Sequence, residues 1–244
     1  EMEAMDVTAE IERIRQQQTA AKSTGIKKQE NGYEFYTPHY PPPVVVECQK
    51  DLSHYGIKGR YLDMTFSKLK QLGAPPEDKD AYNGALKYAV HLNEHIKSGK
   101  GLIMMGPVGT GKTSLAISIL RRAIEQGYNG YLISMMSLLD TLLVLSKGPA
   151  EHYLKFENRI RNCPLLVLDD FGAEYDNKWV SSKVDSIISD RVERGKATII
   201  TTNLSVQQIK KYYDSRIYDR LKETSFILSF KGKSKREPLD VSKI

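Results

Sequence analysis

The feature that most constrains this sequence is a glycine-rich loop between an apolar strand and an apolar-periodic helix. Residues 106–113 read Gly-Pro-Val-Gly-Thr-Gly-Lys-Thr, which fits the pattern G-x-x-x-x-G-K-[ST]. The apolar run Leu-Ile-Met-Met at residues 102–105 precedes the loop, and apolar residues recur at helical spacing after it. A strand, a loop of this pattern and a helix in that order indicate a P-loop in an α/β fold.

The P-loop predicts a site for ATP with Mg²⁺. Its glycines let backbone N–H groups curl around phosphates, and the N-terminus of the following helix adds a partial positive charge. Lys112 is expected to reach the β and γ phosphates, and Thr113 to supply a hydroxyl ligand to Mg²⁺. The predicted ATP-binding residues of this loop are Gly106, Pro107, Val108, Gly109, Thr110, Gly111, Lys112, Thr113 and Ser114.

An acidic pair follows a second apolar run. Residues 165–170 read Leu-Leu-Val-Leu-Asp-Asp, a buried strand with two acids at its carboxyl end, where open α/β sheets place ligands. This pattern predicts that Asp169 helps to hold Mg²⁺ and that Asp170 polarises the attacking water, because phosphoryl transfer depends on positioning and charge neutralisation. Glu174 is the alternative water-activating acid, and a purely structural acid pair is a third interpretation.

Asn203 ends the next apolar strand at the same predicted sheet edge. Its amide is expected to contact the γ-phosphate or the attacking water, although it could instead cap the next helix, a role for which Ser205 is also suited. Arg216 and Arg220 are four residues apart and would share one helix face. Either both arginines lie on a solvated helix face, or one of them acts on the γ-phosphate bound to a neighbouring subunit.

Two-face burial is predicted for a parallel sheet, because several strands are continuously apolar. Five strands are expected at residues 101–105, 130–134, 164–169, 197–202 and 225–230. Helices are expected at residues 112–126, 137–145, 151–162, 178–194 and 205–213. Upstream, one helix should carry Tyr82, Leu86, Ala89 and Ile96, residues 1–30 suggest a charged helix, and residues 31–43 suggest an extended Pro-rich connector.

Bulk properties favour a cytoplasmic protein with one main domain of the 244 residues and no membrane partner. The N-terminal residues are acidic where a secretory signal would be basic, and no uninterrupted apolar span is present. Cys48 and Cys163 lack metal-binding spacing, and Cys163 is expected to be a core thiol. The net charge of +6 is compatible with a polyanionic partner such as nucleic acid, or simply with solubility.

Several blocks in order resemble the helicase-loader branch of the AAA+ ATPases, the DnaC and DnaI group, with the transposition ATPase IstB as a close relative. The resemblance covers about residues 55–236. Besides the P-loop, it rests on Gly-Ile-Lys-Gly-Arg-Tyr at 56–61 with Phe66, Asp-Asp-Phe-Gly-Ala-Glu at 169–174, Thr-Asn-Leu-Ser at 202–205, Arg-Ile-Tyr-Asp-Arg-Leu at 216–221 and Lys-Gly-Lys-Ser-Lys-Arg at 231–236.

The resemblance implies a five-stranded parallel AAA+ sheet with helices on both faces, no helical lid domain and a small N-terminal helical or extended segment. It implies that Asn203 is sensor 1, Arg220 the arginine finger and Arg236 a nucleotide-binding sensor 2 residue. Residues 51–244 would form the ATPase domain. Residues 1–50 would form a linker and the segment that binds a hexameric replicative helicase, and residues 137–155 would contact single-stranded DNA.

The leading hypothesis is therefore a helicase loader that hydrolyses ATP weakly, with stimulation by DNA, and self-assembles through ATP-bridged interfaces. The first alternative is an IstB-like transposition ATPase that binds duplex DNA and a transposase. The second is a nucleotide-dependent scaffold that does not hydrolyse ATP.

Overall fold

The computed structural model describes residues 26–30, 33–37, 51–172, 178–213 and 215–235. The chain divides into two units, Glu1–Lys50 and Asp51–Ile244. In the described part, no helix is both long enough and apolar enough to cross a membrane. The sequence predicts a charged helix in residues 1–30. Residues 1–25 of this segment lie outside the described residues, and only residues 26–30 are described.

An antiparallel hairpin is the described part of the first unit. Strands β1 (Ile26–Glu30) and β2 (Tyr33–Thr37) pair from Ile26 opposite Thr37 to Glu30 opposite Tyr33. The prediction of an unpaired connector over residues 31–43 is therefore wrong for β2. Its aromatic and β-branched composition favours a strand, and the Asn-Gly sequence between the two strands is a strong signal for a two-residue hairpin turn.

The second unit is built on a five-stranded parallel sheet in the order β4-β5-β6-β3-β7. The strands are β3 (Gly101–Met105), β4 (Gly130–Ser134), β5 (Leu165–Phe171), β6 (Ala197–Thr202) and β7 (Ser225–Ser229). All five are confirmed within two residues of their predicted ends. Strands β3 and β6 are buried along their whole length because helices cover both faces of the sheet.

Nine helices are described in this unit. They are α1 (Phe66–Leu72), α2 (Lys79–Val90), α3 (Leu92–Lys97), α4 (Lys112–Glu125), α5 (Met135–Leu145), α6 (Ala150–Asn162), α7 (Lys178–Glu193), α8 (Val206–Tyr212) and α9 (Ser215–Thr224). Short 3-10 helices occur at Leu52–Tyr55, Gly59–Tyr61 and Pro76–Asp78. The five helices predicted after the P-loop are confirmed, and α9 adds a sixth.

Two apolar cores separate the helices into two layers. Helices α1 to α4 pack on the face that presents Leu102, Met104 and Val167, whereas α5 to α9 pack on the face that presents Ile103 and Leu168. Alternate residues of one strand thus belong to different cores. In open α/β sheets, ligands bind at the carboxyl ends of the strands.

The single helix predicted upstream of the sheet is wrong in two respects. The chain breaks into α2 and α3 at His91, whose backbone leaves the helical conformation at φ −95°, ψ 22°. Leu86 is 44% exposed, while Tyr82, Ala89 and Ile96 are buried. Helical spacing alone did not distinguish the buried stripe of α2 from an adjacent exposed leucine.

A buried arginine links the C-terminal end of α6 to the N-terminal ends of β5 and β6. Arg191 is 0% exposed and donates to the carbonyl oxygens of Ile160 at 2.8 Å, Cys163 at 3.0 Å and Ala197 at 2.6 Å. Its Nε donates to Thr198 Oγ1 at 2.9 Å. Burial lowers the pKa of the Arg191 guanidinium, but its donors are satisfied by these oxygens. Cys163 is a buried core thiol, as predicted.

Candidate functional site

The P-loop connects β3 to α4 with a backbone that only glycine adopts easily at its last turn. Gly111 has φ 94°, and a Cβ atom there would lie 2.3 Å from the hydroxyl oxygen of Tyr82. Helix α4 then begins at Lys112 with no side-chain cap. A helix N-terminus of this kind is where the sequence pattern predicts a phosphate.

The ammonium group of Lys112 lies inside the loop. It donates to the carbonyl oxygens of Gly106 and Pro107, both at 2.7 Å, although Lys112 itself is only 6% exposed. The loop is closed further by Thr110, whose hydroxyl donates to the Pro107 carbonyl at 3.0 Å. A positive charge is thus fixed among main-chain dipoles where the loop curls.

Thr113 and Asp169 are joined directly, although 56 residues separate them. The Thr113 hydroxyl donates to Asp169 Oδ1 at 2.9 Å, and the Thr201 hydroxyl donates to the same oxygen at 2.5 Å. Because the proton of Thr113 is directed at the carboxylate, the lone pairs of its hydroxyl oxygen face away from Asp169. A hydroxyl and a carboxylate so arranged form an oxygen donor set that suits Mg²⁺.

Burial raises the pKa of the Asp169 carboxyl above its ordinary value. The charge of Asp170 acts in the same direction, whereas the hydrogen bonds from Thr201 and Thr113 and the charge of Lys112 oppose the increase. A cation bound beside Asp169 would favour its charged form and relieve this electrostatic cost.

Asp170 differs from Asp169 in backbone and exposure. It is the non-glycine residue with positive φ, 53°, among the described residues, and it lies at an irregularity between Leu168 and Phe171 in the pairing of β5 with β6. The Asp170 N–H donates to Thr201 Oγ1 at 3.0 Å. This bulge leaves Asp169 against Thr113 and exposes the side chain of Asp170 to the cavity beside the P-loop.

Asn203 follows β6 and lines the same cavity as Asp170. The cap of α8 belongs instead to Ser205, whose hydroxyl accepts from Gln208 N at 3.3 Å while the Gln208 side chain accepts from Ser205 N at 2.8 Å. The alternative that Asn203 caps the next helix is therefore wrong. Its exposed amide remains available to a ligand.

A cavity of about 720 Å³ collects these side chains. Its lining includes residues of the P-loop and of the two strand ends: Val108, Gly109, Gly111, Lys112, Thr113, Ser114, Asp170 and Asn203. The other lining residues, here named the second wall, are Arg60, Tyr61, Met64, Leu69, Leu72, Gly73, Ala74, Pro75, Tyr82 and Lys235. Its size and the apolar residues of the second wall, such as Met64 and Leu69, suit a nucleotide with a planar base and a charged tail.

Sequence reasoning missed the second wall. The resemblance includes residues 56–61 and 231–236, and the predicted upstream helix includes Tyr82, but none of these residues except Arg236 was predicted to contact the nucleotide. Tyr82 donates to the Thr110 carbonyl at 3.1 Å and so helps to hold the P-loop in place. No such role was predicted because the wall brings together segments that are far apart in the sequence, residues 60–82 and residue 235.

Comparisons with known proteins agree with this geometry. Residues 88–240 match the family described as IstB-like ATP binding protein. The chain belongs to this family. It is similar to the replicative helicase loader DnaI of Bacillus subtilis (strain 168), with 24% identity over 168 residues, which cover 61% of this chain and 53% of DnaI. The chain therefore spans about half the length of DnaI.

Two further likenesses bear on this IstB-like chain. An insertion sequence IS21-like ATP-binding protein of Bacteroides fragilis is 29% identical over 157 residues, covering 60% of this chain and 58% of that protein. The crystal structure of the DnaC helicase loader matches with a TM-score of 0.63 and 26% identity, and the match covers 71% of this chain and 100% of that chain. The fold is thus the AAA+ P-loop fold that the sequence predicted.

Arg220 lies away from the cavity of its own chain. Its guanidinium donates to Asp185 Oδ1 at 2.9 Å and to the hydroxyl of Ser189, both on α7. Neither Arg220 nor the exposed Arg216 is among the described residues that line the cavity. Glu174 and Arg236, the two other predicted site residues, lie outside the described residues.

The predicted DNA-contacting stretch, residues 137–155, covers most of α5 and the first part of α6. Leu138, Leu139 and Leu142 are buried in the core, whereas Val144 and Leu154 are 69% and 55% exposed. Most of this stretch is therefore surface, and the three leucines are its buried residues. Its role in DNA binding stays a prediction.

Proposed function

We propose that this IstB-like protein is an ATP-dependent DNA replication protein, a loader that delivers a hexameric replicative helicase to single-stranded DNA and hydrolyses ATP as it does so. The observation that carries the ATPase part is the hydrogen bond from Thr113 to Asp169, with Asp170 and Asn203 beside it in one cavity. The loader part is supported by likeness to proteins named DnaI and DnaC helicase loaders.

The proposed chemistry divides the polar side chains by role. Lys112 and the N-terminus of α4 hold the β and γ phosphates, and Thr113 and Asp169 would hold Mg²⁺, which neutralises phosphate charge when bound. Asp170 orients the attacking water and accepts its proton, with Glu174 as the alternative acid. The Asn203 amide donates a hydrogen bond to the γ-phosphate or to that water.

The proposed site is shared between two subunits. Arg220 lies outside its own cavity and is partly exposed, so its guanidinium is accessible to the cavity of a neighbouring copy. There it would stabilise the negative charge that develops on the γ-phosphate. Arg236 would contact the nucleotide, residues 137–155 would contact single-stranded DNA, and residues 1–50 would bind the helicase.

The proposal is tested with the full chain in two linked assays. Phosphate release is measured with and without single-stranded DNA, and helicase delivery is measured as DNA unwinding by a hexameric replicative helicase from the same cell. Asp170→Asn should bind ATP but lose hydrolysis, and Lys112→Ala should lose ATP binding. An absence of turnover in the unchanged chain under both conditions would leave only the nucleotide-dependent scaffold.

A second candidate function is the ATP-dependent partner of a transposase. One observation favours it: the insertion-sequence ATP-binding protein shares 29% of aligned residues with this chain, whereas DnaI shares 24%. This function predicts ATP-dependent binding to duplex DNA and a complex with a transposase. Preference for duplex over single-stranded DNA, together with no effect on helicase loading, would support it against the loader.

A further inference from the structure

The segment after β7 is bonded at its start to the end of β3 and at its end to the P-loop. The N–H of Phe230 donates to the Met105 carbonyl at 2.7 Å, and the N–H of Lys235 donates to the Gly109 carbonyl at 3.0 Å. A Cβ atom on Gly109 would lie 2.0 Å from the hydroxyl oxygen of Ser234. Residues 230–235, here named the strap, therefore press directly on the predicted phosphate loop.

Asp78 holds the middle of the strap. This residue is 0% exposed, and its Oδ1 accepts hydrogen bonds from the backbone N–H groups of Lys231 at 2.6 Å and Gly232 at 2.9 Å. Asp78 also precedes α2, but its side chain makes no capping hydrogen bond to that helix. The carboxylate that the fold buries here thus serves the strap rather than the helix start.

Gly232 permits this close approach. A Cβ atom at this position would lie 2.4 Å from Asp78 Oδ2 and 3.4 Å from the Cβ atom of Pro75. Asp78 Oδ2 is buried and has no hydrogen-bond partner among the described residues. The contact between Asp78 and the strap therefore requires glycine at position 232. A substitution of Gly232 can disturb this contact while Asp78 itself is unchanged.

The strap ends with Lys235 on the wall of the cavity. Its ammonium group donates to the Gly73 carbonyl at 2.5 Å and lies 3.4 Å from the Tyr82 hydroxyl oxygen. Tyr82 in turn donates to the P-loop at Thr110. Burial lowers the pKa of Lys235, and the negative charge of Asp78 opposes that shift, so Asp78 favours the charged ammonium.

We propose that Lys235 contacts the polyphosphate of bound ATP and that Asp78 is the positioning residue that holds Lys235 there through the strap. This inference rests on the proposed function, because it requires the P-loop cavity to be the ATP site. A lysine ammonium is a donor only, so phosphate oxygens are its natural partners on ATP. Asp78 acts on the nucleotide only through Lys235.

The test is a double-mutant cycle on ATP affinity, measured by calorimetry on the full chain with Mg²⁺. Lys235→Ala should weaken ATP binding about tenfold, the scale of a charged hydrogen bond. Asp78→Ala and Gly232→Ala should each weaken binding severalfold by displacing the strap. In the Lys235→Ala background both should add little, because their effect passes through the same side chain. Lys233→Ala, an exposed strap residue, is the matched control and should bind as the unchanged chain does.

Two results would overturn the inference. If Lys235→Ala binds ATP as tightly as the unchanged chain, Lys235 does not contact the nucleotide. If Asp78→Ala lowers ATP affinity by the same factor with and without Lys235→Ala, Asp78 acts by another route. If Asp78→Ala does not fold, Gly232→Ala decides, since the backbone of Gly232 lies outside the left-handed region and the added Cβ atom disturbs only the contact with Asp78 and Pro75. If the unchanged chain does not bind ATP, the proposed function itself is refuted. That result differs from one in which the unchanged chain binds ATP and the strap substitutions have no effect.

Discussion

Asn203 and Ser205 provide a matched pair of substitutions that separates catalysis from helix capping. Ser205 forms the capping box of α8 with Gln208, whereas Asn203 makes no hydrogen bond among the described residues and faces the cavity. Asn203→Ala should therefore remove a group that acts on ATP. Ser205→Ala should remove only the helix cap.

The magnitudes follow from these contacts. Losing one donor to a developing negative charge costs about 100-fold in kcat, so Asn203→Ala should lower the rate of hydrolysis by about that factor at saturating ATP. The free energy of unfolding should change by less than about 0.5 kcal/mol, because the exposed amide stabilises nothing in the fold. Ser205→Ala should cost about 1 kcal/mol of stability, or about 2–4 °C in Tm, with kcat retained.

Phosphate release and thermal unfolding are measured on the same preparations, and ATP affinity is measured separately by calorimetry. ATP binding by Asn203→Ala should stay within about tenfold of the unchanged chain, since the P-loop supplies most phosphate contacts. The reasoning is refuted if Asn203→Ala keeps its kcat, or if it lowers Tm as much as Ser205→Ala does.

Three other changes test separate parts of the molecule. Arg220→Ala should bind ATP but not hydrolyse it, and mixing it with Lys112→Ala should restore part of the activity through mixed sites; no recovery at high protein concentration would contradict action in trans. Gly111→Ala should weaken ATP binding at least about tenfold, because its Cβ would lie 2.3 Å from the Tyr82 hydroxyl oxygen and its φ is 94°; normal affinity by calorimetry would contradict the steric argument. Arg191→Leu should lower the free energy of unfolding by at least about 2 kcal/mol, because several buried carbonyl oxygens lose their donor; an unchanged urea midpoint would contradict this.

The sequence predicted the sheet well because its signals are local. The central strands are continuous apolar runs, and each ends at a polar or glycine residue that marks the site edge. The hairpin at Ile26–Glu30 and Tyr33–Thr37 was missed because proline and tyrosine downstream suggested a connector, although the Asn-Gly turn signal was present. The break between α2 and α3 has no proline or glycine to announce it.

The site was predictable where one motif holds its residues and obscure where distant segments meet. The P-loop, Asp169 and Asn203 each lie at the carboxyl end of a strand, so parallel packing brings them together. The contact of Asp78 with Lys231 and Gly232 joins residues more than 150 positions apart, and no periodicity encodes it. In the sequence, Asp78 looks like an ordinary acidic residue at the start of a helix.

The bulge at Asp170 limits which acid this position accepts. On a regular strand, adjacent side chains point to opposite faces, so two neighbouring acids could not serve one cavity. Here the left-handed backbone of Asp170 turns the chain, and aspartate and asparagine tolerate that conformation better than longer side chains do. Asp170→Glu would keep the charge but place a longer side chain on this left-handed backbone. The backbone conformation at residue 170 thus favours aspartate over glutamate, independently of the role of the side chain in hydrolysis.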